Sequence, residues 1–138
     1  MRIMALDIGD KRIGMAISDL MGWTAQPLYT IHRKNLEKDM EEIVENVTEY
    51  LPATLVVGLP KNMDGSSGFQ ADKTIEFVER LKEKLPDNIE VVYQDERLST
   101  KSASQVMAQT GIKKKNKKNL VDTIAAVFIL ETYLMKKK

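Results

Sequence analysis

Between Leu36 and Gln94 the chain alternates helical and extended patterns through short connections, and this alternation restricts the fold more than any other feature. Leu36, Met40, Ile43, Val44, Val47 and Leu51 recur at spacings of three and four, the period of an amphipathic helix, which Pro52 ends. Thr54 to Gly58 is then a short β-branched strand, and a Pro, Asn, Gly and Ser-rich loop runs from Leu59 to Gly68. A second amphipathic helix carries Ile75, Phe77, Val78, Leu81 and Leu85, and after Pro86-Asp87-Asn88 the segment Ile89 to Gln94 is extended again. Two strands joined by a helix form a parallel crossover unit. A sheet with parallel strands needs cover on both faces.

The segments on either side complete the arrangement. Ile3 to Gly9 and Arg12 to Ser18 are apolar runs separated by Asp10-Lys11, a two-residue break suited to a hairpin, and Thr24 to His32 supplies a third strand. Ser99 caps a helix reaching about Thr110, with Gly111 as its stop, and Lys113 to Lys118 forms a basic loop. Asn119 caps a last helix carrying Leu120, Ile124, Val127, Phe128, Leu130 and Leu134. The expectation is an α/β fold: a five-stranded mixed sheet flanked by helices on both faces, with residues 1–138 as one domain. Ligands of such sheets gather at the carboxyl ends of the strands.

Three acids fall in that region. Asp7 interrupts an apolar strand, where a lone carboxylate is costly unless a cation or hydrogen bonds compensate it. Asp95 and Glu96 end the last strand, and because neighbouring strand residues point to opposite faces, at most one of them readily joins Asp7. Glu96, with the longer reach, is the choice, leaving Asp95 to hold a loop or cap the helix that follows. Asp122 lies in the first turn of the final helix among Val121, Ile124, Ala125 and Ala126, on a side too apolar for a simply solvated acid.

No cysteine is present, so thiolate metal sites, disulfides and cysteine nucleophiles are excluded. Carboxylate ligands with phosphate and water suit Mg²⁺ or Mn²⁺, ions that activate water in phosphodiester hydrolysis. Asp7, Glu96 and Asp122 are therefore expected as metal ligands and catalytic residues, and His32 as structural or exposed. The chain shows no signal peptide and no apolar run of membrane length, so a cytoplasmic protein is the default. Its net charge is only +1, yet residues 97–138 hold ten Lys and Arg against two acids, a surplus of +8, while the preceding residues hold eleven against eighteen, a deficit of −7. Lys11, Arg12, Arg97, Lys113, Lys114, Lys115, Lys117 and Lys118 are the expected contacts to nucleic-acid phosphates. Gly9 either lets a phosphate approach the backbone or only serves the hairpin.

Four segments in order, over essentially the whole chain, resemble the YqgF (RuvX) family of Holliday-junction-resolvase-like and pre-16S rRNA nucleases. They are Asp7-Ile8-Gly9-Asp10-Lys11-Arg12-Ile13-Gly14 with Ser18-Asp19; Val57-Gly58-Leu59-Pro60 through Asn62-Met63-Asp64-Gly65; Asp95-Glu96-Arg97-Leu98-Ser99-Thr100; and Val121-Asp122 with Ala125-Ala126. Phe69 stands where members of the family commonly carry proline. The resemblance implies an RNase H-like fold, the family's acids on Asp7, Glu96 and Asp122, and trimming of the 5′ end of precursor 16S ribosomal RNA. Cleavage of four-way DNA junctions is the alternative substrate, and noncatalytic RNA binding in ribosome assembly the alternative function. Actin-like and sugar-kinase-like ATP enzymes also begin Asp-x-Gly but need two such domains.

Overall fold

The computed structural model of the chain describes residues 1–60, 68–95 and 117–137, with side chains of the last helix from Thr123 to Lys136. Its strands are β1 (Ile3–Ile8), β2 (Arg12–Ser18), β3 (Ala25–His32), β4 (Thr54–Leu59) and β5 (Glu90–Asp95). The described helices are α1 (Leu36–Tyr50), α2 (Phe69–Lys82) and α3 (Lys117–Lys137). The five strands make one sheet in the order β3-β2-β1-β4-β5, antiparallel across β1-β2-β3 and parallel across β1-β4-β5. The expected mixed α/β sheet is what forms. The helix expected from Ser99 to Thr110, residues 61–67 of the Gly-rich loop and Lys113, Lys114 and Lys115 lie outside the described residues.

Strand alternation sorts the core into two layers. Met4 and Leu6 of β1, Ile13 and Met15 of β2, and Leu55 and Val57 of β4 pack with Met40, Ile43 and Val47 of α1 and Phe77, Val78 and Leu81 of α2. Ile3 and Ala5, Ala16 and Val56 face the other way, onto Ala126, Ile129, Leu130, Tyr133 and Leu134 of α3. The small pairings of Ala5 and Ala16 with Ala126, all fully buried, let α3 lie close against the sheet.

Local chemistry sets the element ends. Asn35 caps α1, its Oδ1 accepting from the Lys38 amide at 2.9 Å, and Leu51 closes the helix in a left-handed conformation, φ 47°, before Pro52. Two boundaries differ from expectation by more than one residue. Leu85 is buried in the core but follows α2 as part of the turn after Lys82. Lys117 and Lys118 belong to α3 rather than to a loop capped by Asn119, lysine being a good helix former with no need of a stop there, and Asp122 accordingly falls in the second turn of α3 instead of the first. Gly9 answers to the hairpin: its amide donates to the Arg12 carbonyl at 2.9 Å, and a Cβ would lie 2.8 Å from that oxygen.

Candidate active site

Asp7 sits near the carboxyl end of β1, half-buried, directly opposite Gly14 of β2, which in turn pairs with Thr30 of β3. On its other side β1 and β4 run in register through Leu6 and Val57, and the next step sets Gly58 beside Asp7 and Gln94 beside Gly58. Thr30, Gly14, Asp7, Gly58 and Gln94 thus form one row across the sheet. Residues in a row share a face. That face is the one covered by α3, since Thr30 shares a 2.6 Å hydrogen bond with Thr123 and Lys136 Nζ donates to Gln94 Oε1 at 3.5 Å. Gly14, directly opposite Asp7, adds no side chain to the row.

The expected trio divides between what the structure describes and what it does not. Glu96 and Arg97 lie outside the described residues; Asp122 is placed by its backbone in α3, one residue before the Thr123 that anchors this helix to β3. Asp95 ends β5 opposite Leu59. Val92 packs toward α3, whereas Val91 and Tyr93 pack on the α1 and α2 layer, so alternation turns Gln94 to the Asp7 face and Asp95 away from it. Among the described residues no three Asp, Glu, His or Cys side chains converge as a metal cluster.

A cleft of about 830 Å³ opens at the same carboxyl edge but on the α1 and α2 side, starting at Ile8 and Gly9 and taking in the hairpin residues Lys11 and Arg12. His32 lies exposed on its rim, as expected. Arg33, which no local sequence pattern singles out, organises this edge. Its Nη1 donates to the Gly9 carbonyl at 2.8 Å, its Nε pairs with Asp39 at 3.0 Å, and its guanidinium lies 5.1 Å from the Phe77 ring centroid. Asp39 is 2% exposed and also accepts from the Lys34 amide, so a buried carboxylate is compensated by a charge and a backbone N–H. Asp10, at the hairpin tip, accepts from Gln70 and Lys73 of α2, and those bonds hold its carboxyl below the usual carboxylate range. The β1-β2 hairpin is therefore tied through Arg33 to Asp39 of α1, which steadies the strand end that carries Asp7, while the exposed contacts of Asp10 with α2 add little.

A family model described as RuvX, Holliday junction resolvase, matches residues 1–136. A protein of Acetivibrio thermocellus named "Putative pre-16S rRNA nuclease" is 52% identical over 135 residues, 97% of this chain and 95% of that one. A protein of Desulforamulus reducens with the same name is 44% identical over 134 residues, covering 97% and 96%. Among solved structures, the fowlpox virus Holliday junction resolvase is similar with a TM-score of 0.59 at 20% identity, each chain fully covered. Thermus thermophilus RuvC in complex with a Holliday junction substrate gives 0.54 at 12% identity, covering 99% and 95%. These two likenesses concern the fold, which is RNase H-like.

Proposed function

Since this chain belongs to the RuvX family, we propose that it is a metal-dependent nuclease that processes the 5′ end of precursor 16S ribosomal RNA. The observation that carries the proposal is the Asp7 row: a carboxylate at the carboxyl edge, opposite Gly14, on the sheet face covered by α3, the helix whose sequence includes Asp122. The names of the relatives supply the RNA. We take residues 1–138 as one nuclease domain, a reading supported by the single sheet that gathers every described strand.

The donors suit a hard divalent cation. Asp7 is an oxygen donor, and a chain without cysteine offers no competing thiolate. Asp7, Glu96 and Asp122 would hold Mg²⁺ or Mn²⁺, which when bound would lower the pKa of a water and offset charge on the phosphate. The chain's own residues do the rest. Asp7 is held in position by the β1-β2 ladder and the Arg33 tether, so its carboxylate needs little reorganisation on binding. Lys11 and Arg12 at the hairpin, with Arg97 and Lys113, Lys114, Lys115, Lys117 and Lys118, grip phosphates on either side of the cut. No helix among the described residues is long and apolar enough to cross a membrane, and a precursor rRNA substrate would put the protein in the cytoplasm.

The description of the family model favours a second substrate, the four-way DNA junction. The deciding experiment incubates purified protein with precursor 16S RNA and with a four-way DNA junction, each with Mg²⁺, Mn²⁺ or chelator. Metal-dependent cutting of the RNA supports the proposal, and cutting of the junction alone selects the second substrate. Binding without cleavage under every condition makes the protein a noncatalytic RNA-binding assembly factor.

A further inference from the structure

The 830 Å³ cleft lies across the sheet edge from the Asp7 row, its wall beginning with the two residues that follow Asp7. We infer that it is a second nucleic-acid site, taking one or two unpaired nucleotides of RNA that flank the cut, with Lys34 and Lys73 on phosphates and Phe69 stacked on a base. The inference rests on the nuclease reading for its substrate and goes beyond it in assigning a path.

Three observations converge on a single strand of nucleic acid. The first is charge: six Lys and Arg line the cleft against three acids, of which Asp39 is taken up with Arg33. Lys34 is exposed and has no ion-pair partner among the described residues, and Lys73 meets Asp10 only at 3.4 Å with both side chains at least half exposed. An exposed pair of that kind contributes little, so the ammonium exchanges readily onto a phosphate. The second is Phe69, which stands just outside the cleft at the start of α2, next to the lining residue Gln70; it is 75% exposed, with Nζ of the lining Lys73 4.9 Å from its ring centroid. A large ring left in water beside a cation is the chemistry that stacks unpaired bases. The third is rigidity: Arg33, fixed by Gly9, Asp39 and Phe77, gives the cleft a planar cationic floor already ordered before anything binds. The volume lies in the usual range for small-ligand sites, about 300–1,000 Å³. A base held in a duplex could not reach Phe69 face to face, which makes the ligand single-stranded.

The test uses the full chain in chelator, which on the nuclease reading suppresses cleavage, and follows anisotropy of a short labelled single-stranded RNA, a blunt RNA duplex and a mononucleotide across a salt series. Phe69→Ala should weaken single-strand binding about 5- to 150-fold and leave duplex binding alone. Phe69→Trp should restore it. Lys34→Gln with Lys73→Gln should flatten the slope of log affinity against log salt by about 1.4. Every substituted side chain is exposed, so circular dichroism should match the wild type. Single-strand affinity and slope at wild-type values in these variants, in a protein that cuts precursor RNA with metal, would overturn the cleft assignment and leave the nuclease reading standing. Equal losses on duplex, or a mononucleotide binding as tightly as the oligomer, would also overturn it. A wild-type protein that neither binds nor cuts any RNA would overturn both.

Discussion

At the scale of single residues, Asp7 is an acid in a largely apolar strand, directly opposite a glycine and on the sheet face that α3 covers. Asp7→Asn keeps the shape and removes the charge, so it should abolish metal-dependent cleavage. Added Mg²⁺ or Mn²⁺ should raise the melting temperature of the wild type but not of the variant, because only a bound ion stabilises by mass action. A variant that still cuts at the wild-type rate would take Asp7 out of the site. Alternation in β5 makes a second prediction. Gln94 faces α3 and Asp95 the opposite layer, so Asp95→Asn should cut normally while Glu96→Gln should not. The reverse outcome would mean that the chain departs from strand alternation after Gln94.

At the scale of elements, α3 matters because it carries Asp122, and its position depends on the Thr30–Thr123 hydrogen bond and on alanines packed against alanines. Thr123→Val should cost about 1 kcal/mol of stability and lower the cleavage rate of the folded fraction, as read by denaturant titration beside kinetics. An unchanged rate would separate the latch from the site. The β2-β3 connection makes a pH prediction. Amides of Trp23 and Thr24 donate to Asp19, which lowers its carboxyl below the ordinary value of 3.8. A group lowered in the folded state stabilises above its unfolded pKa and loses that contribution as pH falls through the folded one. Asp19→Asn should therefore flatten the acid limb of stability below about pH 4 and leave neutral cleavage intact. What could be read in advance follows the same division. The hairpin break at Asp10-Lys11, the α1 stripe from Leu36 and the Ile89 strand were legible because periods of 2 and 3.6 are local properties of a chain. Gly58 as a neighbour of Asp7, Arg33 on Asp39, and Thr30 on Thr123 were not, because register and tertiary pairing join residues that no local window contains.

At the scale of the molecule, the strand order brings the carboxyl ends of β1, β4 and β5 to one edge together with the β1-β2 turn, and this edge joins the acidic site to its basic surroundings. Charge within the sequence is split, with the surplus of +8 beginning at Arg97 and a deficit of −7 before it. Lys117 and Lys118 fall in the first turn of α3, which carries no acid, and a helix N-terminus favours an anion. Replacing Lys113, Lys114, Lys115, Lys117 and Lys118 together by glutamine should leave the free protein as stable or slightly more so. RNA binding should weaken, and the slope of log affinity against log salt should flatten by about 0.7 to 0.9 for each phosphate that is no longer neutralised. The maximum cleavage rate at saturating substrate should change far less, since Asp7, Glu96 and Asp122 are untouched. Combined with Lys34→Gln and Lys73→Gln, the change in slope should be additive if the two sets meet different phosphates. A slope that stays at the wild-type value in the five-lysine variant would assign the grip to Lys11, Arg12 and Arg97 instead.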